Sequence, residues 1–200
     1  MINLEVSTKA KTLAYLEKYQ IPLKFKIPKS YYFTKNQYKK NKDLILKKIT
    51  KIFGKKRLIV RSSSLSEDQK NKSMAGKFDS YHDVLNCKET LDTYINLVLK
   101  KFKNKNDQVL IQEYISDVDI AGVVFTRNLN NNGPYYYINY DTSGKTNFIT
   151  GGIYFEETKN EVISRFNFKK KTKFKKLIEI CRSIEKIFSN DRLDIEFCIK

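Results

Sequence analysis

The sequence predicts an α+β protein, and three observations support this fold class. Helical and strand patterns alternate irregularly along the 200 residues. Strand patterns also follow one another in the middle of the chain, which is typical of an antiparallel meander and not of regular strand–helix units. Apolar residues make up 40% of the composition, enough for a packed core in one domain or in two joined subdomains.

Helices are predicted where apolar side chains recur at helical spacing. They cover residues 8–19, 35–53, 89–102 and 173–188. Strands are predicted where short apolar or aromatic runs stand between polar turns. They fall around 24–33 and at 57–61, 108–115, 119–127, 135–140, 152–156, 161–165 and 193–200. A tight polar turn joins the strand at 108–115 to the next one.

Residues 62–80 contain no periodic apolar pattern. They are therefore predicted to form a long serine-rich loop that follows the strand at 57–61. Long loops of this kind in compact domains are usually functional or disordered.

The chain carries a formal net charge of +17, and only six of its 39 basic residues are arginine. Clustered lysines would suit a nucleic-acid backbone, because they release its counterions. Here the lysines are spread along the whole chain beside many asparagines, as expected from an AT-rich genome. A solvated surface is therefore the favoured interpretation, and nucleic-acid binding is kept as an alternative.

The composition also bears on location. No apolar run approaches the roughly 18 residues of a membrane helix, and residues 1–19 lack the apolar core of a signal peptide. Cys87, Cys181 and Cys198 have no metal-ligand spacing. We therefore expect reduced thiols in a cytoplasmic protein that does not contact a membrane.

Two sequence features do not support a site. The segment "SGKT" (143–146) lacks the first glycine of a P-loop, because Asn139 occupies that position and a strand pattern follows. His82 is the only histidine and has no second histidine or cysteine at metal or triad spacing. A structural or surface role is therefore predicted for His82.

Two carboxylates lie on the last predicted strand. Alternate side chains of a strand point the same way, so Asp194 and Glu196 share one face. Hard carboxylate oxygens suit Mg²⁺, which would also relieve the repulsion between them. An edge strand with one wet face would show the same alternation, so the pair by itself supports metal binding only weakly.

Arg61 stands where the strand "LIV" opens into the serine-rich loop. The planar guanidinium binds phosphate oxygens bidentately, which the point charge of lysine does not. In a chain that otherwise favours lysine, an arginine at this junction indicates a site where geometry matters. An ordinary strand-to-loop junction is the alternative.

Several separated segments, taken in order, resemble the ATP-grasp nucleotide-binding domain of the pyruvate phosphate dikinase and phosphoenolpyruvate synthase family. They are "VRSSSLSED", "SMAGKFDSY", "VLIQEYISDVDIAGVVFTRN" and "LDIEFCIK", and the resemblance runs from Lys9 to Glu196. It implies an ATP-grasp fold in which two subdomains clamp ATP. It also implies an ATP-dependent phosphotransferase that relays phosphate through a histidine on a separate domain to a small-molecule acceptor.

The resemblance implies a role for particular residues. Lys9 and Arg61 correspond to the lysine and arginine that hold the ATP phosphates, and they are the implied catalytic residues. Gly76 lies in the phosphate-covering loop, and Ser80 takes the usual threonine position after it. The implied adenine hinge consists of Gln112, Glu113, Tyr114 and Ile115. The implied metal ligands are Asp194 and Glu196. ATP and Mg²⁺ are therefore the implied cofactors.

Some positions depart from the family pattern. Thr8 and Ala10 replace glycines that usually flank the lysine, and Lys77 stands where glutamine is usual. The resemblance implies an N-terminal piece of a longer enzyme, with the C-terminal strand of the ATP site and the phosphohistidine and acceptor domains missing, so that the piece does not complete turnover alone. Residues 1–107 are expected to form the N-terminal subdomain, and residues 108–200 the second part.

Within the family, "PYYYINYDTSGKTNFITGG" resembles the corresponding segment of the L-glutamine kinases of capsular polysaccharide phosphoramidate synthesis. This resemblance implies the glutamine amide as phosphoryl acceptor. Two alternatives stay open at this point. One is a basic nucleic-acid-binding module, and the other is a degenerate ATP-grasp domain that serves only in interaction or regulation.

Overall fold

The computed structural model describes residues 7–18, 25–64, 80–128, 131–144, 158–166 and 172–200. These residues form two units, with the main boundary between Ile115 and Ser116. Each unit contains one four-stranded antiparallel sheet. The predicted α+β class is therefore confirmed.

The first unit combines three helices and four strands in its described part. Their bounds are α1 Lys9–Lys18, β1 Ser30–Thr34, α2 Lys35–Phe53, β2 Leu58–Ser63, β3 Ser80–Val84, α3 Lys88–Lys101 and β4 Gln108–Glu113. The strand order in the sheet is β1-β4-β2-β3. Strand β4 thus lies in the centre, between β1 and β2.

Helix α2 is defined by local signals at both ends. Thr34 accepts a hydrogen bond from the backbone N–H of Gln37 through its side chain, and the Gln37 side chain accepts one from the N–H of Thr34. This reciprocal capping satisfies two of the amides that a helix start leaves without partners. At the other end, Gly54 adopts a φ of +57°, and its N–H donates to the carbonyl of Thr50.

The core of the first unit lies on one face of its sheet. Helices α2 and α3 contribute buried residues to a cluster that includes Leu58 and Val60 of β2 and Val109 and Ile111 of β4. Since side chains alternate along a strand, the residues between these point to the opposite face. That face carries Arg61, as described below.

The second unit consists of four strands and one helix in its described part. Their bounds are β5 Ile120–Phe125, β6 Tyr135–Asp141, β7 Lys159–Ser164, α4 Lys175–Phe188 and β8 Asp194–Ile199, and the strand order is β7-β6-β5-β8. Apolar residues of α4, including Leu177 and Ile178, form a core with Val124, Tyr136 and Ile138 of the sheet. One sheet face is therefore covered by α4.

Most predicted elements are present, with three differences. Strand β3 was not predicted. Its first residue, Ser80, is the last residue of the stretch expected to be a loop, and the rest of the strand follows it. In residues 25–33, the part of the region around 24–33 that the structure describes, the strand is β1, which begins at Ser30. The predicted strands at 108–115 and 119–127 are β4 and β5, which belong to different sheets. The candidate strand at 152–156 lies outside the described residues.

The predicted division placed residues 108–200 in the second part of the chain. In the structure, β4 pairs with β1 and β2 and so belongs to the unit of the N-terminal elements. Within the part of the chain that the structure describes, no helix has the length and apolar character needed to cross a membrane.

Candidate functional site

The face of the first sheet that points away from α2 and α3 carries Arg61. Arg61 lies on β2 directly opposite Ser80 of β3 and Leu110 of β4. Directly opposed residues of antiparallel strands project to the same side of the sheet. The two residues that the sequence suggested on either side of the serine-rich loop are therefore cross-strand neighbours.

The start of α1 lies against this same face. The backbone N–H of Ala10 donates to the hydroxyl oxygen of Ser63 over 2.9 Å, and Ser63 is two residues after Arg61 on β2. The hydroxyl of Thr8 donates to the side-chain oxygen of Gln108 on β4 over 2.6 Å. These two bonds hold the beginning of the helix, including the exposed Lys9, against β2 and β4.

Thr8 also shapes the N-terminus of α1. Its side-chain oxygen accepts from the N–H of Lys11 over 3.3 Å, and its carbonyl accepts from the N–H of Thr12 over 2.9 Å. This is the geometry of an N-cap. Thr8 thus has a structural role, since it begins the helix and connects it to Gln108.

The end of β4 carries the four residues predicted as the adenine hinge. Gln112 is buried, and Glu113 to Ile115 are partly exposed. The N–H of Glu113 donates to the carbonyl of Lys29 over 3.0 Å, and the N–H of Tyr114 donates to the carbonyl of Arg57 over 2.9 Å.

An ion pair also lies at this end of β4. The Glu113 carboxylate accepts from Lys56 Nζ over 2.6 Å, in a partly exposed position. The hinge backbone is thus already bonded to two neighbouring segments, so adenine recognition there would have to use other groups or exchange these partners.

Asp194 and Glu196 belong to the second unit. Both are exposed on β8, whose burial alternates along its length, so the expectation that they share one face is confirmed. Glu196 lies opposite Val123 and Asp194 opposite Phe125 on β5. The other face of β8 packs on the core through residues such as Phe197.

The same open face of the second sheet carries other polar groups. Asn139 of β6 lies opposite Val123, and Asp141 opposite Ala121, on the side of Asp194 and Glu196. Asp141 is buried, and its carboxylate accepts from the backbone N–H of Ser143 over 2.7 Å and from the Ser143 hydroxyl. Asp141 is thus engaged in a local turn.

These oxygen ligands suit Mg²⁺ chemically, but they are few. Among the residues that the structure describes, no group of three or more His, Cys, Asp or Glu side chains could hold a metal ion. A site built on Asp194 and Glu196 would therefore need water or phosphate oxygens as its remaining ligands, which is the usual situation for Mg²⁺ with nucleotides.

The predicted site residues are thus placed in three groups. The first unit brings the start of α1 at Lys9 onto the sheet face of Arg61 and Ser80. The hinge residues Gln112–Ile115 extend from the end of β4 in that unit, and the two carboxylates lie on β8 of the second unit. Gly76 lies outside the described residues.

Sequence reasoning did not predict a cluster of arginines in the second unit. Arg165 makes two hydrogen bonds, of 2.7 and 2.9 Å, to the carboxylate of Glu185, and it donates to the Thr126 carbonyl over 2.7 Å. The hydrogen bonding to the Glu185 carboxylate raises the pKa of Arg165. Arg127 pairs with Asp191 over 2.6 Å.

The arginines line an open cavity of about 720 Å³. Arg182 also lies along it and donates to the Arg165 carbonyl over 3.0 Å. These side chains bind carboxylates and carbonyls of their own unit, so the cluster serves to attach the end of α4 to the neighbouring turns. The scarcity of arginine was the one sequence signal that could have pointed to it.

Comparison with known proteins bears on the first unit. Residues 35–106 match a family described as the AMP/ATP-binding domain of pyruvate phosphate dikinase. The matched stretch runs from the start of α2 past α3, and it includes Arg61 and Ser80. The match supports an ATP-binding portion of an ATP-using phosphotransferase.

No curated protein matches the chain. Among solved structures, the VanG D-Ala:D-Ser ligase from Enterococcus faecalis is similar, with 16% identity and a TM-score of 0.42. The alignment covers 90% of this chain and 43% of the ligase chain, so this chain spans less than half the length of that protein.

Proposed function

We propose that this chain is the ATP-binding portion of a multidomain phosphotransferase with an ATP-grasp-type nucleotide site. The single observation that carries the proposal is the match of residues 35–106 to an AMP/ATP-binding domain. The cross-strand neighbours Arg61 and Ser80 lie within that match and share a polar sheet face with the start of α1. This face is the proposed phosphate-binding surface.

The proposed phosphate contacts follow from charge and geometry. Arg61 offers a planar fork of N–H donors to phosphate oxygens, and the exposed Lys9 offers a second positive charge. The N-terminus of α1 carries the positive end of the helix dipole beside them. Together these groups would neutralise the negative charge that moves to the bridging oxygen as the terminal phosphoryl group leaves.

Mg²⁺ is the proposed metal, and Asp194 and Glu196 are the residues that would hold it. Both are exposed carboxylates on one face of β8, which fits a hard cation that keeps several water or phosphate ligands. When bound, Mg²⁺ supplies charge neutralisation to the phosphates of the nucleotide.

The phosphoryl acceptor is the most specific element of the proposed function. We place a histidine on a separate domain as the first acceptor and a small molecule as the second, with the amide of L-glutamine as the specific candidate. Incubation of the protein encoded by the whole gene with ATP and glutamine tests this step. Phosphorus NMR of the protein-free filtrate should then show a P–N product that forms only when glutamine is present, and a product with another acceptor, or none, would contradict the glutamine assignment.

Calorimetric titration of Mg-ATP into the chain tests the nucleotide site itself. We expect saturable binding that Arg61→Lys weakens about tenfold, because lysine keeps the charge but loses the bidentate hydrogen bonds. Arg182→Lys is the matched control. Arg182 lies on α4, which covers the sheet face opposite to Asp194 and Glu196, and its side chain donates to the Arg165 carbonyl, so this change should leave ATP affinity unaltered.

Two results would contradict the proposal. Wild-type ATP affinity in folded Arg61→Lys would remove Arg61 from the site. Absence of ATP binding, combined with an affinity for oligonucleotides that falls steeply with salt, would favour the nucleic-acid-binding alternative.

A further inference from the structure

His82, the only histidine of the chain, lies between two groups of residues that the proposed function places at the nucleotide. Its Nε2 atom is 3.0 Å from the hydroxyl oxygen of Ser80. Its ring meets the ring of Tyr114 edge-on, with 6.5 Å between the centroids. Ser80 belongs to the proposed phosphate-binding surface and Tyr114 to the proposed adenine hinge, so one side chain contacts both.

The backbone of β3 is irregular where it carries His82. The register between β2 and β3 shifts between Leu58 and Val60, so that His82 and Asp83 together lie opposite one residue of β2. Asp83 also has a φ of +56°, a conformation that non-glycine residues adopt infrequently. A β-bulge of this kind redirects the side chains beside it and is common next to functional sites.

Arg57 connects this bulge to the hinge. Its Nε donates to the Asp83 carboxylate over 2.6 Å, and its NH2 group donates to the Asp83 carbonyl oxygen. This hydrogen bonding raises the pKa of Arg57 and lowers the pKa of Asp83. The carbonyl of Arg57 accepts the N–H of Tyr114. The surroundings of His82 are therefore fixed by bonds within the protein.

We infer that His82 is a positioning residue of the nucleotide site, which orients the Ser80 hydroxyl and supports the Tyr114 ring. The inference rests on the proposed function and adds a residue to it. When Nε2 carries a proton, the ring donates to the Ser80 oxygen and leaves the Ser80 O–H to donate to a phosphate oxygen. A hydroxyl oriented in advance binds more tightly, because less rotational freedom is lost on binding.

The single histidine makes the inference directly testable. The ring signal of His82 in a ¹H–¹³C NMR spectrum needs no assignment experiment, because the sequence contains one histidine. We expect Mg-ATP, added at constant pH, to shift this signal with the same Kd as calorimetry measures. Ser80→Ala should shift the signal without ATP, since it removes the hydroxyl that the ring contacts.

Three variants then test the role in binding. His82→Leu should weaken Mg-ATP binding about fivefold, the usual effect of one ordered hydrogen bond. His82→Gln should stay within about twofold of wild type, because its amide reaches a position similar to Nε2. In the double variant of Ser80→Ala with His82→Leu, the loss of binding free energy should be smaller than the sum of the two single losses, because both changes remove the Ser80–His82 contact and only the Tyr114 contact is lost separately.

The outcomes separate this inference from the proposed function. Mg-ATP binding with an unshifted His82 signal, or with additive losses in the double variant, overturns the positioning role and leaves the ATP site intact. Complete absence of Mg-ATP binding by the wild-type chain overturns both. If His82→Leu does not fold, as judged by thermal unfolding, the ring signal and Ser80→Ala still decide the question.

Discussion

The close approach of Phe197 to Gly122 makes one substitution a sensitive test of the second unit. Gly122 lies on β5 opposite Phe197 of β8. A Cβ atom at Gly122 would lie 2.6 Å from the backbone oxygen of Asn139 and 2.6 and 2.7 Å from two carbons of the Phe197 ring. Ordinary contacts of a Cβ atom begin at 3.4 Å, so Gly122→Ala creates a severe overlap on two sides.

The loss of stability caused by Gly122→Ala depends on how far the neighbouring atoms can move. The phenylalanine ring can shift only by disturbing the core it packs against, and the Asn139 oxygen belongs to the paired strand β6. Overpacking of a core typically costs 1–3 kcal/mol, and contact with both backbone and ring puts Gly122→Ala at about 3 kcal/mol. For a chain of this size that lowers the melting temperature by roughly 6–12 °C.

Differential scanning calorimetry of wild type, Gly122→Ala and Gly133→Ala measures this effect. Gly133 is the matched control, because a Cβ atom there would come close only to the end of the Asn131 side chain, at 3.0 Å, and would make ordinary contacts with Asn128 and Tyr135 at 3.6 and 3.7 Å. Gly133→Ala should change stability by less than about 1 kcal/mol. A Gly122→Ala protein that melts within the error of wild type would refute the described packing of β5 against β8.

Three further predictions concern other parts of the chain. Glu185→Gln removes the carboxylate that pairs with the largely buried guanidinium of Arg165 and leaves Asp191 as the remaining countercharge. It should lower the free energy of unfolding by about 3 kcal/mol, measured by urea denaturation. Burial raises the pKa of the Cys181 thiol to about 12, so Ellman's reagent at pH 8 should label the exposed Cys87 and reach Cys181 only after denaturation. The carboxyl of Asp83 has a lowered pKa because of its hydrogen bond to a guanidinium. Its contribution to stability is therefore present above the unfolded value near pH 4 and lost as the pH falls through the folded value, and Asp83→Asn should flatten the acid side of the stability curve.

For each of these predictions, a specific experimental result would contradict the expectation. For the buried pair, the control is the exposed pair of Lys88 and Asp43, where Asp43→Asn should leave the free energy of unfolding close to that of the wild type. Equal effects of the two changes would show that burial is not what matters. Rapid labelling of Cys181 in the folded protein, or an unchanged acid profile in Asp83→Asn, would contradict the other two.

The helices could be predicted from the sequence because their signals are local. The apolar spacing of residues 35–53 and the capping pair of Thr34 and Gln37 lie within one stretch, and α2 occupies those residues. Strand β3 could not be predicted in this way. The stretch "SYHDV" has no clear alternation, and its pairing depends on a bulge opposite β2, a partner that precedes the serine-rich loop.

The candidate site shows the same division. Arg61 was singled out because arginine is scarce in the sequence, and the alternating exposure of Asp194 and Glu196 follows from the period of a strand. The contact of His82 with Tyr114 could not be inferred, since the two residues lie 32 positions apart in the sequence. The sequence therefore did not indicate a role for His82 at the candidate site.

The sequence by itself determined the α+β class, the helices and the residue types suited to bind phosphate and Mg²⁺, because these depend on composition and on spacing within short segments. The tertiary structure decided which of these residues are neighbours. The bonds from Ala10 to Ser63 and from Thr8 to Gln108 join residues 53 and 100 positions apart. It also decided that the consecutive strands β4 and β5 belong to different sheets. Such pairings depend on which apolar faces are buried together, and no local pattern specifies that choice.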